Sequence, residues 1–230
     1  MKTWDDQELQ ARFLVLVGNY GSGKTELALN LALDDARRGK TTLVDLDIVN
    51  PYFRSGEKAE LLQHSGVRVL MPTFAMTTVD IPALPAEIQS VFETPSDHVI
   101  FDVGGDDTGA AALGRYYPSF MRFRPETRVC LVVNCMRPLT ETPEEIAELA
   151  QRIEIRGRLK IDTLINNTNI SHLTEAEMLR RGEETVLRAA ERIGVDHVVS
   201  SGLYELASRA ELKTPFMPVQ RYMVPEWMES

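Results

Sequence analysis

The sequence predicts a single α/β domain of three layers, with helices on both faces of a mainly parallel sheet of about seven strands. The length of 230 residues suits one large domain. Short apolar segments alternate with helical patterns, which is typical of parallel strands joined by right-handed crossovers. No flexible linker, block of like charges or internal repeat interrupts this alternation. We therefore expect one domain over residues 1–230.

The hydrophobic pattern predicts the elements in order. Runs of β-branched and apolar residues predict strands at 13–17, 42–46, 67–71, 98–102, 129–134, 161–166 and 197–200. Helical periodicity predicts helices at 24–38, 55–64, 84–92, 109–121, 143–155 and 175–193. Three prolines beyond residue 214 predict an extended tail over the surface, at about 214–230.

Charge and cysteine content narrow the classes of partner. The net charge of −9 and the pI near 5.0 repel nucleic acid and anionic membranes, so neither is an expected partner. Cys130 and Cys135 have an odd spacing within one predicted strand, which predicts two buried thiols on opposite faces and no disulfide or paired metal site. The first ten residues show no secretory pattern, so we expect a cytoplasmic protein.

The segment Gly18-Asn-Tyr-Gly-Ser-Gly-Lys-Thr25 joins the first predicted strand to the first predicted helix and is a complete Walker A pattern. Its glycines let backbone N–H groups surround a phosphate, and the helix N-terminus adds partial positive charge. Lys24 is predicted to reach the β- and γ-phosphates in a catalytic role, and Thr25 supplies a hydroxyl ligand for Mg²⁺. The predicted nucleotide-binding residues of this segment are Gly18, Asn19, Tyr20, Gly21, Ser22, Gly23, Lys24, Thr25 and Glu26.

The second predicted strand ends in a group of polar residues that includes Asp45, Asp47 and Asn50. In open parallel sheets, ligands bind at this edge. We select Asp47 as the catalytic carboxylate, which holds a Mg²⁺-bound water or orients the attacking water, and expect Asp45 to pack within the strand. The alternative is that these acids only cap a turn before Pro51.

The fourth predicted strand ends in Asp102, and Gly104 and Gly105 follow it. This pattern is typical of a Walker B strand that opens into a DxxG-type switch. Asp102 is expected to hold Mg²⁺ through water, and the Gly105 N–H is expected to sense the γ-phosphate.

These residues together resemble the MinD/ParA/CobQ-like branch of the SIMIBI class of P-loop NTPases, in which a Walker A loop, a DxD-x-x-x-N switch I and a DxxG-like switch II recur in this order. The resemblance extends from residue 13 to about residue 218 and implies a site for ATP and Mg²⁺. It also implies nucleotide-dependent dimerisation in many members. Those members carry a signature lysine after the first loop glycine, where this chain has Asn19. A homodimer of another form is an alternative, but we do not expect the ATP-sandwich dimer.

The resemblance also places an adenine-reading asparagine after the sixth strand, where Asn166 and Asn167 stand. Asn166 is preferred because it ends the predicted strand. A guanine-selective loop uses an Asp that accepts two N–H bonds, which Asn169 cannot match, so ATP is the expected nucleotide. The alternative is an Asn-rich turn. The segment 215–219 resembles the loop that packs over adenine in relatives, with a surface tail as the alternative.

The sequence gives further candidate roles to two arginines and one long segment. Arg137 follows the fifth predicted strand, where it either binds a phosphate or an acidic partner or forms a surface ion pair. Arg54 is the candidate to replace the missing lysine. The segment 72–82, with Phe74 and Met76, is apolar enough to cover a substrate or a protein partner.

Three functions follow from these patterns. The first is a slow ATPase that acts as a nucleotide-dependent switch on a protein partner. The second is an ATP-dependent small-molecule kinase or ligase-like transferase, with an acceptor near Asp106, Asp107 or Arg137. The third is a regulatory module that binds nucleotide without hydrolysing it. The first is favoured because the sequence shows switch-like residues and no recognisable acceptor domain.

Overall fold

The computed structural model describes residues 9, 11–47, 56–71, 86–105 and 107–223, and these contain eight strands. The strands are β1 (Phe13–Val17), β2 (Thr41–Leu46), β3 (Arg68–Leu70), β4 (His98–Val103), β5 (Thr127–Val133), β6 (Thr163–Asn166), β7 (His197–Gly202) and β8 (Phe216–Pro218). All of them pair in parallel in one sheet of order β3-β2-β4-β1-β5-β6-β7-β8. The predicted α/β class with a parallel sheet is confirmed.

Helices connect the strands. They are α1 (Lys24–Asp35), α2 (Gly56–His64), α3 (Ala86–Ser90), α4 (Asp107–Arg115), α5 (Tyr117–Arg122), α6 (Pro143–Gly157), α7 (Ala176–Ile193) and α8 (Tyr204–Ala210). Because every strand runs the same way, the loops that follow the strands meet at one edge of the sheet. No helix in the described ranges has the length and apolar composition needed to cross a membrane.

The central strands are buried on both faces, which explains why they consist of continuous apolar residues. In β1, Phe13 and Val15 belong to one core cluster, whereas Leu14 and Leu16 belong to another. The first cluster contains a group of packed aromatic rings, in which Phe92 contacts Phe13 with ring centroids 5.1 Å apart. The sheet therefore separates two apolar layers, as the three-layer prediction requires.

Helix ends follow from local sequence. Thr142 and Glu145 form a capping box at the start of α6, which satisfies backbone donors of the first turn. Gly194 ends α7 in the left-handed conformation with φ of 80°, as glycine does without steric cost. The predicted helix over 109–121 is instead two helices, α4 and α5. Pro118 lies in the first turn of α5, where its missing N–H is tolerated.

The C-terminal region differs from the prediction. Residues 216–218 are not part of a surface tail but form β8, with Phe216 and Met217 buried. The buried carboxylate of Glu183 on α7 explains this position, because it accepts hydrogen bonds from the backbone N–H groups of Lys213 and Thr214. The sequence pattern also missed α8, which has only seven residues.

The two cysteines have the predicted arrangement in part. Cys130 is buried, whereas Cys135 is half-buried at the end of the strand region, and both are free thiols. Cys130 packs in the cluster that contains Leu14, and Cys135 packs against the cluster that contains Phe13, so they lie on opposite faces.

Candidate functional site

The loop between β1 and α1 has the backbone shape that the Walker A pattern predicts. Gly21 and Gly23 adopt φ of 74° and 89°, in the left-handed region. A Cβ on Gly23 would lie 2.2 Å from Asn167 Nδ2, and one on Gly18 would lie 2.3 Å from the carbonyl oxygen of Val132. Within the described chain no side chain caps α1 at Gly23. The first N–H groups of this helix are therefore available to an anion.

Lys24 is buried at the start of α1. Its Nζ donates hydrogen bonds to the carbonyl oxygens of Gly18 at 3.1 Å and Asn19 at 3.0 Å. Burial of an ammonium group is unfavourable unless it is hydrogen-bonded or paired with an anion. These contacts hold the charge against the loop that would surround a phosphate.

Thr25 and Asp102 meet where α1 approaches the end of β4. The Thr25 hydroxyl donates a hydrogen bond of 2.7 Å to Asp102 Oδ2. The other oxygen, Asp102 Oδ1, is buried and has no hydrogen-bond partner among the described residues. Burial raises the pKa of Asp102 to about 6, opposed by the charge of Lys24 and by the hydrogen bond from Thr25, and supported by the charge of Asp47.

This pair fits Mg²⁺. A buried carboxylate oxygen without a partner, next to a hydroxyl, is a donor set that a hard cation satisfies. No three acidic, His or Cys side chains of the described residues group together as a complete metal cage. Mg²⁺ usually keeps several waters and takes one or two protein ligands together with phosphate oxygens, so Thr25 and Asp102 suffice.

Asp47 and Gly105 lie on the same cavity as the phosphate loop. Asp47 follows β2, and its backbone N–H donates a hydrogen bond of 2.8 Å to Asp45 Oδ1, which holds the turn. Asp45 is buried within β2, as predicted. Gly105 packs so closely on the loop that a Cβ there would lie 2.6 Å from Tyr20 N. The switch segment and the phosphate loop are therefore in direct backbone contact.

A cavity of about 730 Å³ runs along this edge of the sheet. It brings together most of the predicted site residues, which are Tyr20, Gly21, Gly23, Lys24, Thr25, Glu26, Asp47, Gly105 and Asn167. Gly18, Asn19, Ser22, Asp102 and Asn166 do not line it. Its apolar lining includes Leu179, Leu203, Leu206, Val219 and Met223. This volume is in the range of sites for small organic ligands.

The two candidate base-reading asparagines have different positions. Asn166 Nδ2 donates to the carbonyl oxygen of Leu179 and to the hydroxyl of Ser200, and its Oδ1 accepts two bonds from Thr168, so its amide is saturated. Asn167 lines the cavity, and its Nδ2 donates to the carbonyl oxygen of Ser22 at 2.8 Å. It keeps a second N–H and a second lone pair. Of the two, Asn167 is therefore the one that lines the cavity and has hydrogen-bonding capacity left for a ligand.

Glu26 has a role that its position in the sequence did not indicate. Its carboxylate accepts hydrogen bonds from the backbone N–H groups of Tyr222 at 2.5 Å and Met223 at 3.0 Å. Asn30, one turn further along α1, exchanges two hydrogen bonds with the backbone of Gln220. We call residues 219–223 the C-terminal strap. The strap lines the cavity and is fixed to the helix that begins at the phosphate loop.

Several cavity residues carried no signal in the sequence pattern. They are Ser171, Thr174, Leu203, Leu206, Arg221 and Met223, and they come from the segments that follow β6, β7 and β8, with Leu206 in α8. Only the order of strands could have indicated them, because loops after adjacent parallel strands share an edge. Other predicted residues lie outside the described residues, namely Asn50, Arg54, Asp106 and the segment 72–82 with Phe74 and Met76.

Comparisons with known proteins identify the fold. No protein-family model and no curated protein matches the sequence. The chain is similar to the signal recognition particle 54 kDa protein of Aeropyrum pernix K1 in complex with GDP, with a TM-score of 0.53, 22% identity, and coverage of 83% of this chain and 42% of that one. It is also similar to the cell division protein FtsY of Thermotoga maritima, with a TM-score of 0.51, 15% identity, and coverage of 83% and 62%. The chain thus spans less than two thirds of either protein, and it has the fold of a P-loop NTPase domain.

Proposed function

We propose that this protein binds ATP with Mg²⁺ and is a slow ATPase that acts as a nucleotide-dependent switch on a protein partner. The contact between the Thr25 hydroxyl and Asp102, beside the orphaned Asp102 Oδ1, carries this proposal. It joins the helix that starts at the phosphate loop to the acidic end of β4, as a site for a metal and a phosphate chain requires. The fold of the solved structures supports the SIMIBI class, and the sequence motifs favour its MinD/ParA/CobQ-like branch and a cytoplasmic location.

The base end of the cavity favours adenine over guanine. Guanine presents two N–H donors that a carboxylate accepts. Among the described cavity residues the carboxylates belong to Glu26 and Asp47, and that of Glu26 binds the C-terminal strap. Asn169 is also engaged, since its Nδ2 donates to the carbonyl oxygen of Asn167 and its Oδ1 accepts from Ser171. Apolar walls and the free capacity of Asn167 suit adenine.

The residues have separate tasks in the proposed reaction. Lys24 and the N–H groups of the loop bind the phosphates and stabilise charge that develops on them. Mg²⁺, when bound beside Thr25 and Asp102, would neutralise phosphate charge. Asp47 lines the same cavity and would orient the attacking water toward the γ-phosphate. One oriented carboxylate without a strong base is consistent with slow turnover.

The surface beside the cavity suits a protein partner. Tyr20, in the phosphate loop, is 66% exposed, and Leu139, in the neighbouring loop after β5, is 55% exposed. The Gly105 segment touches Tyr20, so a change at the γ-phosphate would reach this apolar surface directly. Exposed apolar side chains next to a ligand site are typical of binding surfaces.

Calorimetry with Lys24→Ala tests nucleotide binding. We expect this variant to lose tight binding of Mg²⁺-ATP while it unfolds at the temperature of the parent. Lys40→Ala removes the same charge from an exposed position outside the cavity and is expected to bind ATP as the parent does. Unchanged ATP affinity in Lys24→Ala would remove the proposal.

Phosphate release distinguishes the three functions. The parent protein is incubated with Mg²⁺-ATP alone, with fractionated cell proteins and with cell metabolites. Slow release that a protein fraction alters supports the switch. Release that occurs only with a small molecule identifies a transferase. Binding without release above background identifies a non-hydrolysing module.

A further inference from the structure

The loop that follows β5 is tied to the phosphate loop by side chains from both sides. We call residues 134–140 the Arg137 loop. Asn19 Nδ2 donates a hydrogen bond of 2.9 Å to the carbonyl oxygen of Pro138, and Asn134 Nδ2 donates to the carbonyl oxygens of Gly21 at 3.4 Å and Asn169 at 3.0 Å. Asn134 is fully buried. The Arg137 loop therefore cannot move independently of the phosphate loop.

Internal hydrogen bonds also fix the backbone of Arg137. Its N–H donates to the carbonyl oxygen of Asn134 at 3.1 Å, and its own carbonyl oxygen accepts from the Thr140 hydroxyl at 3.0 Å. Leu139 adopts φ of 67°, which is uncommon outside glycine. An exposed leucine gains nothing from this conformation by itself. The loop thus holds a strained shape that presents Arg137 at a defined place.

That place is the cavity wall beside the phosphate loop. A Cβ on Gly21 would lie 3.2 Å from Arg137 Nε, so the guanidinium group lies against the phosphate loop at Gly21. Arg137 lines the same cavity as Lys24 and Thr25. Its side chain is exposed, and it has no hydrogen bond or ion pair with any of the described residues. In a chain with a net charge of −9, a positioned cation without a counter-charge is suited to an anionic ligand.

We propose that Arg137 binds the phosphate chain of the nucleotide as a second cation beside Lys24, and that Asn19 is the positioning residue that holds its loop. This inference rests on the proposed function, because it names a further ligand of the same site. A guanidinium group donates in a planar fork that matches phosphate oxygens. Because Arg137 lies in the same chain as the phosphate loop, this contact with the phosphates requires no second subunit.

Two probes distinguish a contact with phosphate from a general disturbance of the site. Tripolyphosphate has no base, and adenosine has no phosphate. Binding of inorganic tripolyphosphate, adenosine and ATP, each with Mg²⁺, is measured for the parent, Arg137→Gln and Arg137→Lys. We expect Arg137→Gln to weaken tripolyphosphate and ATP by roughly 10- to 100-fold and to leave adenosine unchanged. Arg137→Lys keeps the charge without the fork and is expected to restore part of the loss. Asn19→Ala is expected to weaken tripolyphosphate less than Arg137→Gln does.

Control variants make the two possible failures distinguishable. Arg209→Ala removes one positive charge from an exposed position outside the cavity and is expected to bind every probe as the parent does. Unchanged tripolyphosphate binding in Arg137→Gln, or equal loss of tripolyphosphate and adenosine, overturns the inference. If Lys24→Ala loses ATP while Arg137→Gln retains it, only this inference fails. If Lys24→Ala also retains ATP, the proposed function fails as well.

Discussion

Replacement of Asp102 by Asn is expected to stabilise the metal-free protein above pH 6. Asp102 is 2% exposed, and burial is the main cause that raises its pKa from 3.8 to about 6. The folded protein therefore holds this proton more tightly than the unfolded chain does. Ionisation of Asp102 then lowers the free energy of unfolding as the pH rises from about 4 to about 6, and the full loss persists above that range.

The magnitude follows from the difference between these pKa values. A difference of about 2 pH units corresponds to about 3 kcal/mol at 1.36 kcal/mol for each unit. Asn has nearly the same shape, and its amide oxygen can still accept the hydrogen bond from Thr25, but it carries no charge. At pH 8 we expect the free energy of unfolding of the variant to exceed that of the parent by up to about 3 kcal/mol, which corresponds to roughly 6–12 °C in Tm. At pH 4 we expect the difference to vanish.

Urea denaturation in EDTA at pH 4, 6 and 8 measures this effect. Asp196→Asn makes the same charge change at an exposed position and is the matched control. Addition of Mg²⁺-ATP is expected to raise the Tm of the parent and to have much less effect on Asp102→Asn, because the variant lacks the carboxylate for the metal. A variant less stable than the parent at pH 8, or a gain equal at pH 4 and pH 8, would refute the reasoning.

Three further results are expected. Asp47→Asn should bind ATP normally but release phosphate roughly 10²-fold more slowly, because it cannot orient the attacking water, and release at the parent rate would place this role elsewhere. Glu26→Gln leaves one acceptor oxygen for the N–H groups of Tyr222 and Met223. Calorimetry should therefore show up to about 10-fold weaker ATP binding and unchanged tripolyphosphate binding. Equal loss for both ligands would contradict a role of the strap at the base. Sedimentation of Asp47→Asn should show no Mg²⁺-ATP-dependent dimer, because the side chain of Asn19 is uncharged and bound to its own chain; a clear shift to dimer would contradict this expectation.

The phosphate loop and the contact between Thr25 and Asp102 could be predicted because each signal is local. The strand, the glycines and Lys24 are contiguous in the sequence, and φ values of 74° and 89° at Gly21 and Gly23 are conformations for which glycine is the usual residue. Asp102 lies one residue before the end of β4, and β4 is adjacent to β1, so the Walker order placed it next to Thr25.

The remaining features depend on contacts between distant residues. Asn167 lines the cavity and Asn166 does not, because the amide of Asn166 is bound to Leu179 and Ser200, which are distant in the sequence. Glu26 binds backbone groups 196 and 197 residues away, so no local pattern could show its role. The strand β8 has only three residues and contains Pro218, and the buried carboxylate of Glu183 holds the segment before it.

The C-terminal strap has a consequence for protein synthesis. The phosphate loop leaves the ribosome early, but its helix is bonded through Glu26 to Tyr222, which is 196 residues further along the chain. At about 5–20 residues per second, roughly 10 to 40 s separate the synthesis of these two partners. During that time the growing chain has the phosphate loop but not the strap residues that line the cavity beside it. The complete cavity can therefore form only after the strap has emerged from the ribosome.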